Sequence, residues 1–516
     1  GSRTRGLRFY QPEEFTIQDA AAYFRFLEEQ GILLDAEARK ASIQSQVAAL
    51  AASVGGQAAD EPGLLAEVTD LVEAPKALRG SFDPTHLSLP REVLISVMKK
   101  HQRYFPVFKR GGQTELLPYY ITIANKPATG SQPFEGGELI VEGNDHVIRA
   151  RFADADFFVR DDRKHKLVDF LPRLGTLVFQ ARLGSMLDKS RRVTALVEAL
   201  AGTLGLEGEA RATALRAAEL CKADLATHMV VEMTSLQGIM GREYALQSGE
   251  SPAVAQAIYE HYLPRYAGDA LPATRPGLAV SLADRLDSLS GLFAAGLAPT
   301  GTKDPFAQRR AALGLVQILL AGEMDFDLRP ALQAAAQHLP LPASAETQAA
   351  CLDFIVERLR NLLLESGLRH DAVEAVVAAQ RHNPGLAGRA VHQLAAWVAR
   401  PDWHTILPAY ARCVRIIRSA APGEAAVPVE PSAFVEPAEQ ELYAALQQTE
   451  QAPRQPGSVD DLLNAFLPMI PAVDRFFEKV LVMAEDPQVR HNRLALLGRI
   501  AALAEGVVDF SRLEGF

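Results

Sequence analysis

The fold is decided by the stretch that begins ARLGSMLDKSRRVTALVEALAGTLG at Ala181 and returns as LRAAELCKADLATHMVVEMTSLQGIMGREYA from Leu215. Both halves read as helices. In the first, Leu183, Leu187, Val193, Leu196, Val197 and Leu200 recur at steps of three and four, while Lys189, Arg191 and Arg192 fall on the polar side. In the second, Leu220, Leu225, Met229 and Met233 repeat the pattern. Faces this apolar have to be buried, so the helices need partners, and 145–170 and 252–320 supply them. The stretch therefore reads as the core of a central helical domain.

On its N-terminal side, VIRARFADADFFVRDD carries Val147, Ile148, Phe152, Ala155, Phe157 and Phe158 as a striped helix. Between Arg149 and Arg192 there are 11 Lys/Arg against 6 Asp/Glu, a basic segment inside a chain of net charge −10. Its two readings are a solvated basic face and a phosphate-facing surface. On its C-terminal side, helices continue through 252–320. LAPTGTKDPF at 297–306 is a compact turn, and Asp304-Pro305 is expected to start the next helix as cap and first residue.

Further out the character changes. Residues 14–52 read as helical, with Asp35 capping a second helix that Gly55 and Gly56 stop. Residues 64–74 fit helix or strand, and Pro75 ends that run. YFPVF and YYITIA, around Gly111-Gly112, read as two antiparallel strands. A loose Pro/Gly stretch covers 127–143, so the first 140 residues are mixed α+β. Beyond residue 345 the pattern is helical, with linker-like breaks at 420–433 and 449–458 and interruptions at Pro468 and Pro471.

With 516 residues, 48% of them hydrophobic and 22% charged, the chain has enough apolar matter for several cores, about three or four at roughly 150 residues per domain. No run is apolar enough for a membrane span, and the start, GSRTRGLRFYQPEEF, lacks the apolar segment of a signal peptide. Cys221, Cys351 and Cys413 are scattered, without a CxxC pair, and read as reduced and buried. GxxxxGK, GxGxxG, HExxH and GxSxG are all absent, which removes the familiar nucleotide, zinc-protease and esterase signatures. His370-Asp371 reads as a helix start. Lys222, Asp224, His261 and Asp284 could converge on a metal ion as in helical phosphohydrolases, or serve as buried ion pairs and caps. For nucleic acid, the candidate contacts are Lys99, Lys100 and Arg103, then Arg182, Lys189, Arg191 and Arg192, then Arg309 and Arg310. A C-terminal set comprises Arg475, Lys479, Arg490, Arg493 and Arg499. Arginine fits phosphate geometry, and neighbouring aromatics can stack on exposed bases.

Several long ordered strings carry a resemblance across essentially the whole chain: HQRYF at 101–105, ITIANKP at 121–127, GNDHVIRARFADADFFVRDD at 143–162, LGTLVFQARLGSMLDKSRRV at 174–193, KADLATHMVVEMTSLQGIMGREYA at 222–245, AIYEHYLPRYAGD at 257–269, LADRLDSLSGLFAAGLAPTGTKDPFAQRRAALGLVQIL at 282–319 and NRLALLGRIAALAEGVVDFSRL at 492–513. They resemble the β subunit of bacterial-type glycyl-tRNA synthetase. Arg3-Thr4-Arg5-Gly6 with Arg8-Phe9 resembles a string well inside that subunit, so the family's first N-terminal portion is expected to be missing here.

The resemblance implies a predominantly α-helical, multidomain chain. Its parts would be an α+β domain at 1–145, similar to the B3/B4-type region of the phenylalanyl-tRNA synthetase β chain, then a central degenerate HD-type helical domain at 146–330. A helical connector at 331–399 and a DALR-like anticodon-binding helical domain at 400–516 would follow. It places no catalytic residue and no cofactor in this chain: ATP and magnesium belong to an α catalytic site that makes glycyl-adenylate. The implied partners are that α subunit or a fused α portion, and tRNA-Gly, in a dimer of α–β units without a membrane. Lys222-Ala223-Asp224 stands where fold relatives carry a His-Asp pair, with His261 and Asp284 downstream, and the missing histidine argues against hydrolysis. Bacterial members usually carry an asparagine near Arg415. AYARCVRIIRS at 409–419, the ending in Gly515-Phe516 and the alanine-rich character resemble the plant and algal branch, which implies chloroplast or mitochondrion, against cytoplasm for a bacterial chain. Two rivals stand beside this reading: a metal-dependent phosphohydrolase, and a purely structural assembly subunit.

Overall fold

The computed structural model describes residues 2–7, 13–112, 114–125, 136–419 and 428–516. The chain divides into two compact units, 1–174 with 222–255, and 175–221 with 256–516. Residues 146–330, expected as one central domain, are thus shared between the two.

The first unit is built on a four-stranded antiparallel sheet in the order Gly56–Ala58, Phe105–Lys109, Leu116–Asn125, Pro75–Ser81. The two strands read from YFPVF and YYITIA pair with each other, Phe105 opposite Ile121. The strand Pro75–Ser81 was not foreseen: Pro75 opens an edge strand, where its missing N–H costs no ladder bond, instead of only ending a run. The ambiguous 64–74 resolves as the helix Pro62–Leu71. With the helix Ala36–Ser53 it buries Ile43, Val47, Leu64, Leu65 and Val68 against Phe105, Val107 and Ile121. Asp35 caps the second of these helices, its carboxylate accepting the Ala38 amide at 2.7 Å. Residues 14–16, read as helix, are instead a short strand paired with Arg3–Arg5.

A 26-residue helix, Gly137–Asp162, is tied to the sheet at one end. Tyr104 and Tyr120 stack at 4.4 Å and donate to Asn144 and Asp145, at 2.7 and 2.6 Å. The same Asp145 oxygen accepts the Ser81 amide at 3.0 Å. Gly80 lies beneath, and a Cβ there would come within 2.1 Å of the Tyr120 ring. The loose stretch expected at 127–143 falls partly outside the described residues, and its part from Gly137 on belongs to this helix. The linker expected at 420–433 lies mostly outside them too.

The second unit is helical. Arg275–Ala294 is its central helix, with Ala279, Leu282, Ala283, Leu286 and Leu289 sealed from solvent. Met186–Leu200, Gly208–Leu220, Gln308–Ala321, Leu328–Gln337 and Ala345–Glu365 pack around it. Ser185 and Asp188 form a reciprocal capping box at the start of Met186–Leu200. Asp304 accepts the Gln308 and Arg309 amides at 2.9 Å each, so it caps the helix as expected, but the helix starts at Gln308 and not at Pro305. His370–Gln380, Pro384–Val398, Trp403–Arg418, Pro437–Gln451, Val459–Phe466, Ile470–Lys479 and Pro487–Ala502 follow in the same unit. All three cysteines are buried thiols outside any disulfide. Among the described residues no helix is long and apolar enough to cross a membrane.

Candidate nucleic-acid interface

The second half of the opening stretch is not one helix. It breaks into Gly208–Leu220, a tight turn at Ala223–Ala226, and the helices His228–Glu232 and Ile239–Gln247. Two buried carboxylates enforce the breaks. Asp162 accepts the His228 and Met229 amides at 2.8 and 3.0 Å and the Tyr244 hydroxyl at 2.8 Å. Asp224, fully buried, accepts the Gly238 and Gly241 amides at 2.6 and 3.0 Å through Oδ2. Its Oδ1 has no hydrogen-bond partner, and burial pushes its carboxyl up to about 6 against the pull of Gly238 and Lys222. Lys222 is buried beside it.

Lys222 and Asp224 belong to the first unit; His261 and Asp284 belong to the second. His261 is sealed, with Nδ1 against the Ile258 carbonyl. Among the described residues no group of three or more His, Cys, Asp or Glu is arranged to hold a metal ion.

Asp284 works in a buried ionic cluster. Lys189, 3% exposed, lies 3.0 Å from both Asp284 and Asp287 and donates to Ser288 at 2.7 Å. Burial acts to lower the Lys189 ammonium, and the two carboxylates outweigh it, so the group stays charged. Arg192 grips Asp287 through Nε and Nη2, at 2.6 and 3.2 Å, and donates to the Leu183 carbonyl. Nearby, Arg285 donates to the backbone carbonyls of His261, Ser281, Tyr262, Leu263 and Pro264. Its pKa is lowered to about 10, by burial above all.

These contacts sort the sequence candidates. Lys189 and Arg192 turn inward and do not present their charge to solvent. Arg493 does the same: at 7% exposure it pairs with Glu439 at 2.9 Å and donates to the Leu481 carbonyl. Arg182, Arg191 and Arg310 are exposed, and Arg309 is half-buried with a bond to the Gly301 carbonyl. Lys99 pairs with Glu61, Arg103 with Glu67 in a left-handed backbone conformation, and Lys100 is exposed. In the C-terminal helices Lys479 is exposed, Arg475 pairs with Glu441, Arg490 reaches the Ala484 carbonyl, and Arg499 pairs with Glu450 under the Tyr443 ring. The candidates are therefore divided between the two units.

Arg415 and Arg418 were not among the candidates. They are exposed at the end of Trp403–Arg418, each 5.7 Å from the centre of the Phe516 ring. The RxxR spacing of RCVRIIR was the available signal, since residues three apart share a helix face.

Comparison with known proteins converges on one answer. A family model described as "Glycyl-tRNA synthetase beta subunit" matches residues 1–378, and one described as "DALR anticodon binding domain" matches 406–507. Together they define an aminoacyl-tRNA synthetase chain that carries an anticodon-binding domain. The chain is 43% identical over 522 residues to a glycine–tRNA ligase beta subunit of Desulforudis audaxviator, covering 99% of this chain and 74% of that protein. It is 40% identical to the beta subunit of Myxococcus xanthus, covering 100% and 73%. Against a chloroplastic/mitochondrial glycine–tRNA ligase of Arabidopsis thaliana it is 37% identical, covering 100% of this chain and 47% of that one. The chain belongs to the glycyl-tRNA synthetase beta subunit family.

Proposed function

We propose that this chain is the tRNA-holding part of a glycine–tRNA ligase, working with an α subunit or a fused α portion that makes glycyl-adenylate. The observation that carries the reading is the anticodon-binding match at 406–507 in a chain whose residues 1–378 match the beta subunit family. Charging requires the 3′ ribose hydroxyl of tRNA to attack the adenylate carbonyl while AMP leaves. This chain supplies position for that step: phosphate contacts orient the tRNA, and a few base contacts at the anticodon select it. ATP and magnesium are assigned to the α site.

The exposed cations Arg182, Arg191, Arg310, Arg415, Arg418 and Lys479 are the first choice for phosphate contact. The working assembly is a dimer of α–β units, and the compartment is a bacterial cytoplasm or a plant-type organelle. With α and glycine, ATP and tRNA-Gly, the chain should support glycyl-tRNA formation, while alone it should give no ATP–pyrophosphate exchange. Exchange by this chain alone, or charging by α at an unchanged rate in its absence, would overturn the assignment.

A further inference from the structure

The helix Gly137–Asp162 presents a surface that none of the contacts above uses. Among exposed residues from 146 to 166, Arg149, Arg151, Arg160, Arg163, Lys164 and Lys166 face a single exposed carboxylate, Asp154. Arg160 and Lys164 are paired with Asp156 and Asp161, but Arg149, Arg151 and Arg163 form no ion pair among the described residues. Within this basic segment Phe157 is 59% exposed. On the helix, Arg149, Ala153, Phe157 and Arg160 follow at steps of four, four and three, which puts them on one face. Ala153, one turn before Phe157 and itself exposed, is too small to cover the ring.

The base of this surface is fixed. Phe158 meets Phe157 edge-on at 5.8 Å and turns toward His228, whose Nδ1 lies 2.9 Å from Asp161. Asp162 then clamps the backbone of the following helix, as described above. An exposed ring on a rigid support, with Arg149 on the same helix face and Arg151 and Arg163 on the flanks of the same segment, matches what single-stranded nucleic acid offers: π-faces joined by phosphates. A protein partner docking through apolar contact would not favour so basic a segment around a single ring.

We propose that Phe157 is a stacking platform for an unpaired nucleotide of the tRNA 3′ end, with Arg149, Arg151 and Arg163 contacting the adjoining phosphates. The proposal rests on the tRNA-holding role. The 3′ end is chosen over the anticodon loop because the anticodon-binding match lies entirely in the other unit.

The test is titration of the full chain with a tRNA-Gly transcript and with the same transcript shortened by its four unpaired 3′ nucleotides. Phe157→Ala should weaken the intact transcript about tenfold, the loss expected for one stacked base, and leave the shortened one unchanged. Phe157→Trp should retain binding. Replacing Arg149, Arg151 and Arg163 with Glu should weaken binding and flatten its salt dependence. Because the ring is exposed, the thermal midpoint of Phe157→Ala should match the parent. Equal binding by Phe157→Ala, an equal loss on both transcripts, or a loss of α-subunit association with tRNA binding intact would each overturn the proposal. If the parent chain binds no tRNA, the tRNA-holding role falls with it; if the parent binds and Phe157→Ala is silent, only the platform falls.

Discussion

The buried charges make the sharpest residue-level predictions. Asp287 is 1% exposed and holds both Lys189 and Arg192. Arg192→Ala should cost roughly 3–5 kcal/mol in a denaturant titration, because it strips a buried carboxylate of its bidentate partner. Arg493→Ala should behave alike through Glu439. Burial tends to raise the Glu439 carboxyl, but Arg493 and the Glu436 and Val435 amides hold it below the usual range. A loss of tRNA binding in either variant would therefore report unfolding, and a melting curve separates the two causes. Asp224 works the other way. Its folded pKa, about 6, lies above the ordinary carboxylate value. The stabilisation from its protonated form is complete below about pH 4 and is lost as pH rises through about 6. Asp224→Asn, neutral at every pH, should thus gain on the parent between pH 5 and pH 7.5, by up to about 3 kcal/mol. A constant difference in melting temperature across that range would refute the shift.

At the scale of elements, polar pins decide where helices start, stop and sit. Asp145 joins the long helix to the sheet through the Tyr120 hydroxyl and the Ser81 amide. Asp145→Ala should destabilise the first unit by about 2 kcal/mol, with Tyr120 left unsatisfied, visible as faster amide exchange along Pro75–Ser81. The same pins show where sequence reasoning ran out. Apolar periodicity identified Met186–Leu200, the Asp35 cap identified Ala36–Ser53, and β-rich runs identified the strand pair around Gly111. Periodicity merged Gly208–Leu220 with the segments after it, because those breaks are written in Asp162 and Asp224, whose amide partners lie as far as 67 and 17 residues along the chain. It also could not tell an inward arginine from an outward one: Arg191 and Arg192 are neighbours, yet one meets solvent and the other Asp287. Phe157 was assigned to an apolar stripe with Phe152 and Phe158, although its ring points outward.

For the whole molecule, a net charge of −10 coexists with local positive surfaces, and binding to RNA depends on the second property, not the first. The family was legible from long ordered strings; the exposed subset of basic residues needed coordinates. Arg415→Glu with Arg418→Glu, both exposed and outside the buried ion pairs, should leave the unfolding free energy within about 1 kcal/mol of the parent's. The pair should nonetheless weaken tRNA-Gly binding severalfold in a filter-binding assay.

The most direct measurement is the affinity of the full chain for tRNA-Gly and for a non-cognate tRNA at two salt concentrations, with and without the α subunit. The account predicts tighter binding to tRNA-Gly, and a log–log loss of affinity with salt at a slope of about −0.9 for each phosphate neutralised. Salt-independent binding, equal affinity for both tRNAs, or no binding even with α present would contradict it.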